Sequence, residues 1–177
     1  TLTIGGLRGG HSGVEIDKNR ANAIKTAAEI LSRLEGVKLG KVTAGIADNA
    51  IPSNAIITFT SASSIFEISE AINDVKDTLP EGESEAKFNI DMRISSAKLM
   101  DTEQSANIIT LIREMPNGVT RMSEDIKGLV ETSLNMGIIK IDDKTAELTI
   151  SVRSAKGEEK AKLLATIKEI AEKHGAS

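Results

Sequence analysis

The sequence predicts an α+β protein, a two-layer sandwich whose largely antiparallel sheet carries its helices on one face. Three observations carry that expectation. Four segments repeat apolar residues at the three- and four-residue spacing of an amphipathic helix, and others alternate apolar and polar residues with period two. The order of these segments leaves the helices one apolar sheet face to cover. With 177 residues, 40% of them hydrophobic, the chain can bury a core and has the size of one ordinary domain, so a single domain over 1–177 is expected.

In chain order, residues 1–8 open on an alternating stretch and read as a strand. Ile24, Ala27, Ala28, Leu31 and Leu34 form the first helical stripe, with Gly36 where a helix C-cap belongs. Strands follow over roughly 38–47 and 54–60, then the clearest stripe of all, Ile65, Ile68, Ile72, Val75 and Leu79. "LPEGESE" at 79–85 reads as a surface loop. Phe88, Ile90, Met92 and Ile94 then face one way while Asn89, Asp91, Arg93 and Ser95 face the other, as in a strand with one wet face. This first half has the split-βαβ, ferredoxin-like order.

The second half is a partial repeat of it. A helix through Ile108, Ile109 and Ile112 leads to a short strand, two long strands joined by a turn near "DDKT", and a last helix over Leu163, Leu164, Ile167, Ile170 and Ala171, closed by Gly175. Leu148, Ile150 and Val152 alternate with Glu147, Thr149, Ser151 and Arg153, so Arg153 points away from the core. One continuous sheet is expected, with one polar face left for something else.

Composition removes several functions. A balance of 22 Lys plus Arg against 26 Asp plus Glu, with three Phe and no Trp or Tyr, offers neither a basic surface nor an aromatic platform for bases. Nucleic acid is therefore not an expected partner. No apolar run reaches the ~18 residues needed to cross a bilayer, so no membrane association is expected either. The absence of Cys removes thiolate metal sites and fits a reducing compartment, which makes the cytoplasm the expected location. The chain opens without Met on "TLTI" and closes on "EKHGAS" just past a helix, as if excised from something longer.

Candidate chemistry begins at "GLRGGHSGVEI", residues 6–16, where Gly9, Gly10 and Gly13 surround His11. Such glycines let the backbone turn and present a side chain uncovered. A solvent-exposed histidine in a strand-to-helix loop is the simplest account; a lone imidazole can also donate a hydrogen bond to a developing oxyanion. A zinc site would want three or four ligands, and His174 lies at the far end of the last helix. Ser12 fits a loop or helix-capping residue better than a nucleophile, and the glycine spacing matches neither a P-loop nor a dinucleotide fingerprint. In "GIADNAIPSNA", residues 45–55, Asp48, Asn49 and Pro52 mark a turn whose Asn can serve the backbone alone. Pro116, Asn117 and Gly118 form another, ringed by Arg121, Glu124, Asp125, Glu131, Thr132 and Ser133, which solvent alone would account for. Arg153 on its wet strand face suits bidentate contact with a carboxylate, or simple exposure.

Taken together, "GLRGGHSGVEI", "NAIPSNA", "MPNGVTRMSEDIKGLVETSLNMGI" and "SVRSA" resemble the aminoacyl-histidine dipeptidases, also called Xaa-His or cytosolic non-specific dipeptidases, of the M20 metallopeptidase clan. The resemblance covers essentially the whole chain but only part of the family's protein. It implies a lid or dimerisation domain inserted into a catalytic domain that binds two zinc ions, with none of those metal ligands in these residues. In such a protein a metal-bridging water attacks the bond of a dipeptide substrate, and the lid closes over it. The resemblance implies that His11 stabilises the tetrahedral oxyanion and that Asn49 contacts substrate. Arg153 is the candidate for holding the dipeptide's free carboxylate, with Arg93 in reserve, because many relatives carry their lid Arg where this chain has Ala62. A homodimer is expected, and these residues alone are expected to have no peptidase activity. The competing expectation is a free-standing ferredoxin-like module for ligand binding or oligomerisation.

Overall fold

A computed structural model describes residues 1–93 and 98–177. Its elements, in chain order, are β1 (Leu2–Gly5), β2 (Gly10–His11), α1 (Ala23–Leu31), β3 (Lys38–Ala44), β4 (Ala50–Ile51), β5 (Ala55–Thr60), α2 (Ile65–Asp77), β6 (Lys87–Ile90), α3 (Thr102–Glu114), β7 (Gly118–Met122), β8 (Val130–Ile141), β9 (Ala146–Ser154) and α4 (Gly157–Lys173). All four helical stripes and both halves of the expected order are present.

The first half pairs as β6-β1-β5-β3, the antiparallel ferredoxin-like order, and β8 extends the sheet from β3. Both β3 and β7 lie along one flank of β8, near its opposite ends, while β9 runs along the other flank. Helix-side side chains form one cluster: Ile24 and Ile30 of α1, Ile68 and Val75 of α2, and Ile109 and Ile112 of α3 meet Leu2, Ile4, Val42, Ile57, Met136 and Ile141 from the strands. Ile167 and Ile170 of α4 pack against its margin. The expected α+β sandwich with helices on one face is thus the observed architecture.

Local chemistry sets the element ends. Asn22 caps α1 by accepting from the Ile24 N–H, and Ser64 with Glu67 makes a reciprocal capping box for α2, an arrangement worth ~1 kcal/mol. Strands stop where partners end. β1 closes after Gly5, and β6 spans only Lys87–Ile90 because its neighbour begins at Leu2, so Asp91, Met92 and Arg93 of the strand expected from Phe88 to Ser95 lie beyond its end. Ile94 and Ser95 of that expectation lie outside the described residues. Lys25 joins the two halves by donating from Nζ to the carbonyls of Ile112, Arg113 and Met115 at the end of α3.

The polar sheet face is not left bare. β8 is buried through most of its length on both sides, because the two-stranded ribbon of β2 and β4 lies across it. Glu131, Thr132 and Ser133, which read as solvated, are at most 4% exposed, and Asn135 beside them is 1% exposed.

Candidate functional site

The site is built on the loop that runs from β1 to α1. Its glycines are there for space as much as for turning. Gly10 has φ of 137°, and a Cβ there would collide with the guanidinium of Arg20 and the carboxylate of Glu15. Those two groups clasp the loop: Glu15 Oε2 accepts from the His11 N–H at 2.9 Å, and Glu15 Oε1 pairs with Arg20 Nη2 at 2.5 Å. Arg20 Nη1 also donates to the Gly9 carbonyl. The His11 N–H, with Arg20 beside it, holds the Glu15 carboxyl below its ordinary value. A second carboxylate, Glu83, ties down both ends of the same loop by accepting from Arg8 N–H at 2.8 Å and Ala21 N–H at 2.9 Å. Glu83 is 5% exposed, so the 79–85 segment is more than the surface loop its sequence suggested.

His11 pairs through its backbone with Ala50, and its side chain stands exposed. The Gly13 N–H donates to its Nδ1 at 3.0 Å. With Nδ1 accepting in this way, the proton of a neutral ring is carried on Nε2. Ser12, facing the other way, is buried, donates its N–H to the Asn49 carbonyl at 2.8 Å and caps no helix. Asn49 sits exposed in the turn beside Ala50, one residue from the strand position opposite His11.

Arg153 arrives from β9, opposite Ser133. A Cβ built on Gly13 would stand 2.8 Å from Arg153 Nη1 and 2.8 Å from His11 Cε1, so guanidinium and imidazole meet across the hydrogen of one glycine. Among the described residues Arg153 makes no hydrogen bond or ion pair, and its side chain is exposed as the strand alternation requires. The structure therefore brings His11, Asn49 and Arg153 together, although they come from three separate stretches of sequence. Arg93 is not with them. It lies past the end of β6, at the opposite edge of the sheet, where its Nη2 pairs with Asp91 Oδ2 at 2.5 Å.

Support comes from below. Asn135, 1% exposed, donates from Nδ2 to the carbonyls of Asp48 at 3.0 Å and Ala50 at 2.8 Å. Asn117 fixes the adjacent stretch, its Oδ1 accepting from the Met136 N–H at 3.0 Å, while Asn22 donates to the Met136 carbonyl at 2.9 Å. Glu131 lies between Arg121 Nε and Lys156 Nζ, each at 2.9 Å, and in the polar ring around the 116–118 turn Glu131, Thr132 and Ser133 are buried while Glu124 and Asp125 stay exposed. The partnership with Glu131 raises Lys156 above the ordinary lysine value.

Chemically, an Nε2–H donor beside an unpaired guanidinium suits an anion: a carboxylate, or an oxyanion as it develops. The residues present do not fit a metal ion, since among the described residues no three His, Cys, Asp or Glu side chains converge. His174 is spent elsewhere, its Nε2 lying 2.9 Å from Glu114 Oε2 between α4 and α3.

Residues 2–87, from β1 to the first residue of β6, match the peptidase dimerisation domain of the M20 family. Among particular relatives, it is 32% identical over 161 residues to the cytosol non-specific dipeptidase of Escherichia coli (strain K12), a match covering 86% of this chain and 33% of that protein. The crystal structure of aminoacylhistidine dipeptidase from Vibrio alginolyticus shares the fold with a TM-score of 0.92 at 29% identity, over 99% of this chain and 38% of that one. The chain thus spans a third or slightly more of the length of these relatives.

Proposed function

We propose that these 177 residues form the lid of a metal-dependent dipeptidase, cutting dipeptides of the Xaa-His type or of broad sequence, and that His11 is its oxyanion donor. One observation carries this above the others: the Gly13 N–H occupies Nδ1, leaving Nε2 to donate, on a ring that shares the open side of Gly13 with the Arg153 guanidinium. In a peptidase the two groups divide the substrate between them. Nε2–H meets the carbonyl oxygen as it gains charge, Arg153 holds the free carboxylate, and Asn49 contacts the peptide from the facing turn. Arg93, committed to Asp91 at the far edge, is not needed.

The zinc ions of such an enzyme, and its general base, belong to residues outside this chain, and the lid alone is inactive. A homodimer in the cytoplasm fits both the dimerisation-domain match and the name of the Escherichia coli relative. A free-standing ligand-binding module would not need a histidine ring held beside a guanidinium that has no partner among the described residues. The test is His11→Ala in the whole protein. Turnover should fall ~10²–10³-fold, the usual cost of one oxyanion donor, with bound metal and unfolding midpoint unchanged. Parallel loss of metal would give His11 a different role.

A further inference from the structure

We infer that Asn135 is a positioning residue for the His11–Asn49 pair, acting from the buried face of β8 without reaching substrate itself. The inference rests on the lid reading above for its catalytic meaning, but its geometry stands independently. Three observations carry it. Asn135 donates both of its Nδ2 protons, to the carbonyls of Asp48 and Ala50, so it grips the residues on either side of Asn49. Asn49 in turn accepts the Ser12 N–H and Ala50 pairs with His11, so one carboxamide sets the height of both site residues over the sheet. The backbones are also interlocked. A Cβ on Gly137 would stand 2.7 Å from the Asp48 Cα and carbonyl oxygen, and one on Gly45 would strike the Gly137 carbonyl.

Chemistry at that spot is specific to an amide. Asn135 is 1% exposed, and two carbonyl oxygens converge on its nitrogen. A carboxylate of the same shape would face both oxygens with lone pairs, and an apolar side chain would leave both unpaired. The strand position matters as well. Arg153 hangs from the partner of Ser133, two residues along the same face, so Asn135 sets the turn against the strand pair that carries the guanidinium.

The experiment uses Asn135→Asp and Asn135→Ala, with amide hydrogen exchange read on the 177-residue chain and kcat and KM read on the whole protein. Exchange at the Ser12 N–H should quicken by ~10-fold or more beyond any change at the core amides of Ile4 and Ile57. In the whole protein kcat should fall ~10-fold or more, with KM moving by less than ~3-fold, as expected when a donor is misplaced and ground-state binding is kept. Unchanged Ser12 exchange, or a change no larger than in the core, overturns the inference. Quickened exchange with full turnover also overturns it if His11→Ala is inactive. If His11→Ala is active as well, it is the lid reading that has failed, and the positional link between Asn135 and the turn remains.

Discussion

Gly13 is the residue on which the site is most exposed to a small change. Its φ is ordinary, so an alanine there would not strain the backbone; the obstacle is the imidazole edge and guanidinium that share its open side at 2.8 Å. Gly13→Ala should therefore part His11 from Arg153 while leaving the core untouched. Turnover of the whole protein is expected to drop ~10²-fold, the scale of an ångström-level misplacement, with the unfolding midpoint of the chain within a degree or two. A matched fall in midpoint would show that Gly13 serves the fold. His11, Asn49 and Arg153 were candidates from the sequence and its family resemblance, and period two alone put Arg153 on the exposed face of its strand. The sequence could not name Glu83 or Asn135. Glu83 acts on backbone groups 75 and 62 residues away, and Asn135 on carbonyls 87 and 85 residues away, separations at which local pattern holds no information.

At the scale of elements, the 6–22 loop is held by carboxylates, which makes it sensitive to acid. Folding lowers the Glu15 carboxyl, so the folded loop holds that proton less tightly than an unfolded chain would. The clasp's contribution is therefore complete above the ordinary glutamate value of about 4.3 and is lost as pH falls through the lowered one. The Ser12 and His11 amides should stay protected down to that acid range and open below it, a transition visible by NMR; in Glu15→Gln the loop should be loosened at neutral pH with no acid step. A transition that persists in Glu15→Gln would assign it to another group. Helices and their order were legible because an amphipathic stripe is a local property. The presence of β8 was legible too, but its burial was not, since burial on both faces depends on a ribbon contributed by residues far upstream, and its Glu131, Ser133 and Asn135 carry the same alternation as a strand in water.

For the whole molecule, what remains open is as informative as what is closed. The β3 edge of the first half is taken by β8, whereas β6 and β9 each pair along one side only among the described residues. Unpaired strand edges are where a second copy can add to a sheet. Sedimentation of the chain should show a concentration-dependent dimer, and a monomer at every concentration tested would remove self-association from this domain's duties.

Along β8, the pleat sends Asn135 to the ribbon and Met136 into the oil between the helices, and past the bulge at Gly137 Ile139 and Ile141 resume on the helix side. One strand therefore writes two messages on its two sides, in a single reading frame. A slip of one residue would exchange thioether for carboxamide on both surfaces at once. The loop and turn above the sheet can drift no further than the hydrophobic interior below will tolerate, and the placement of an exposed histidine is underwritten by the most deeply enclosed part of the chain.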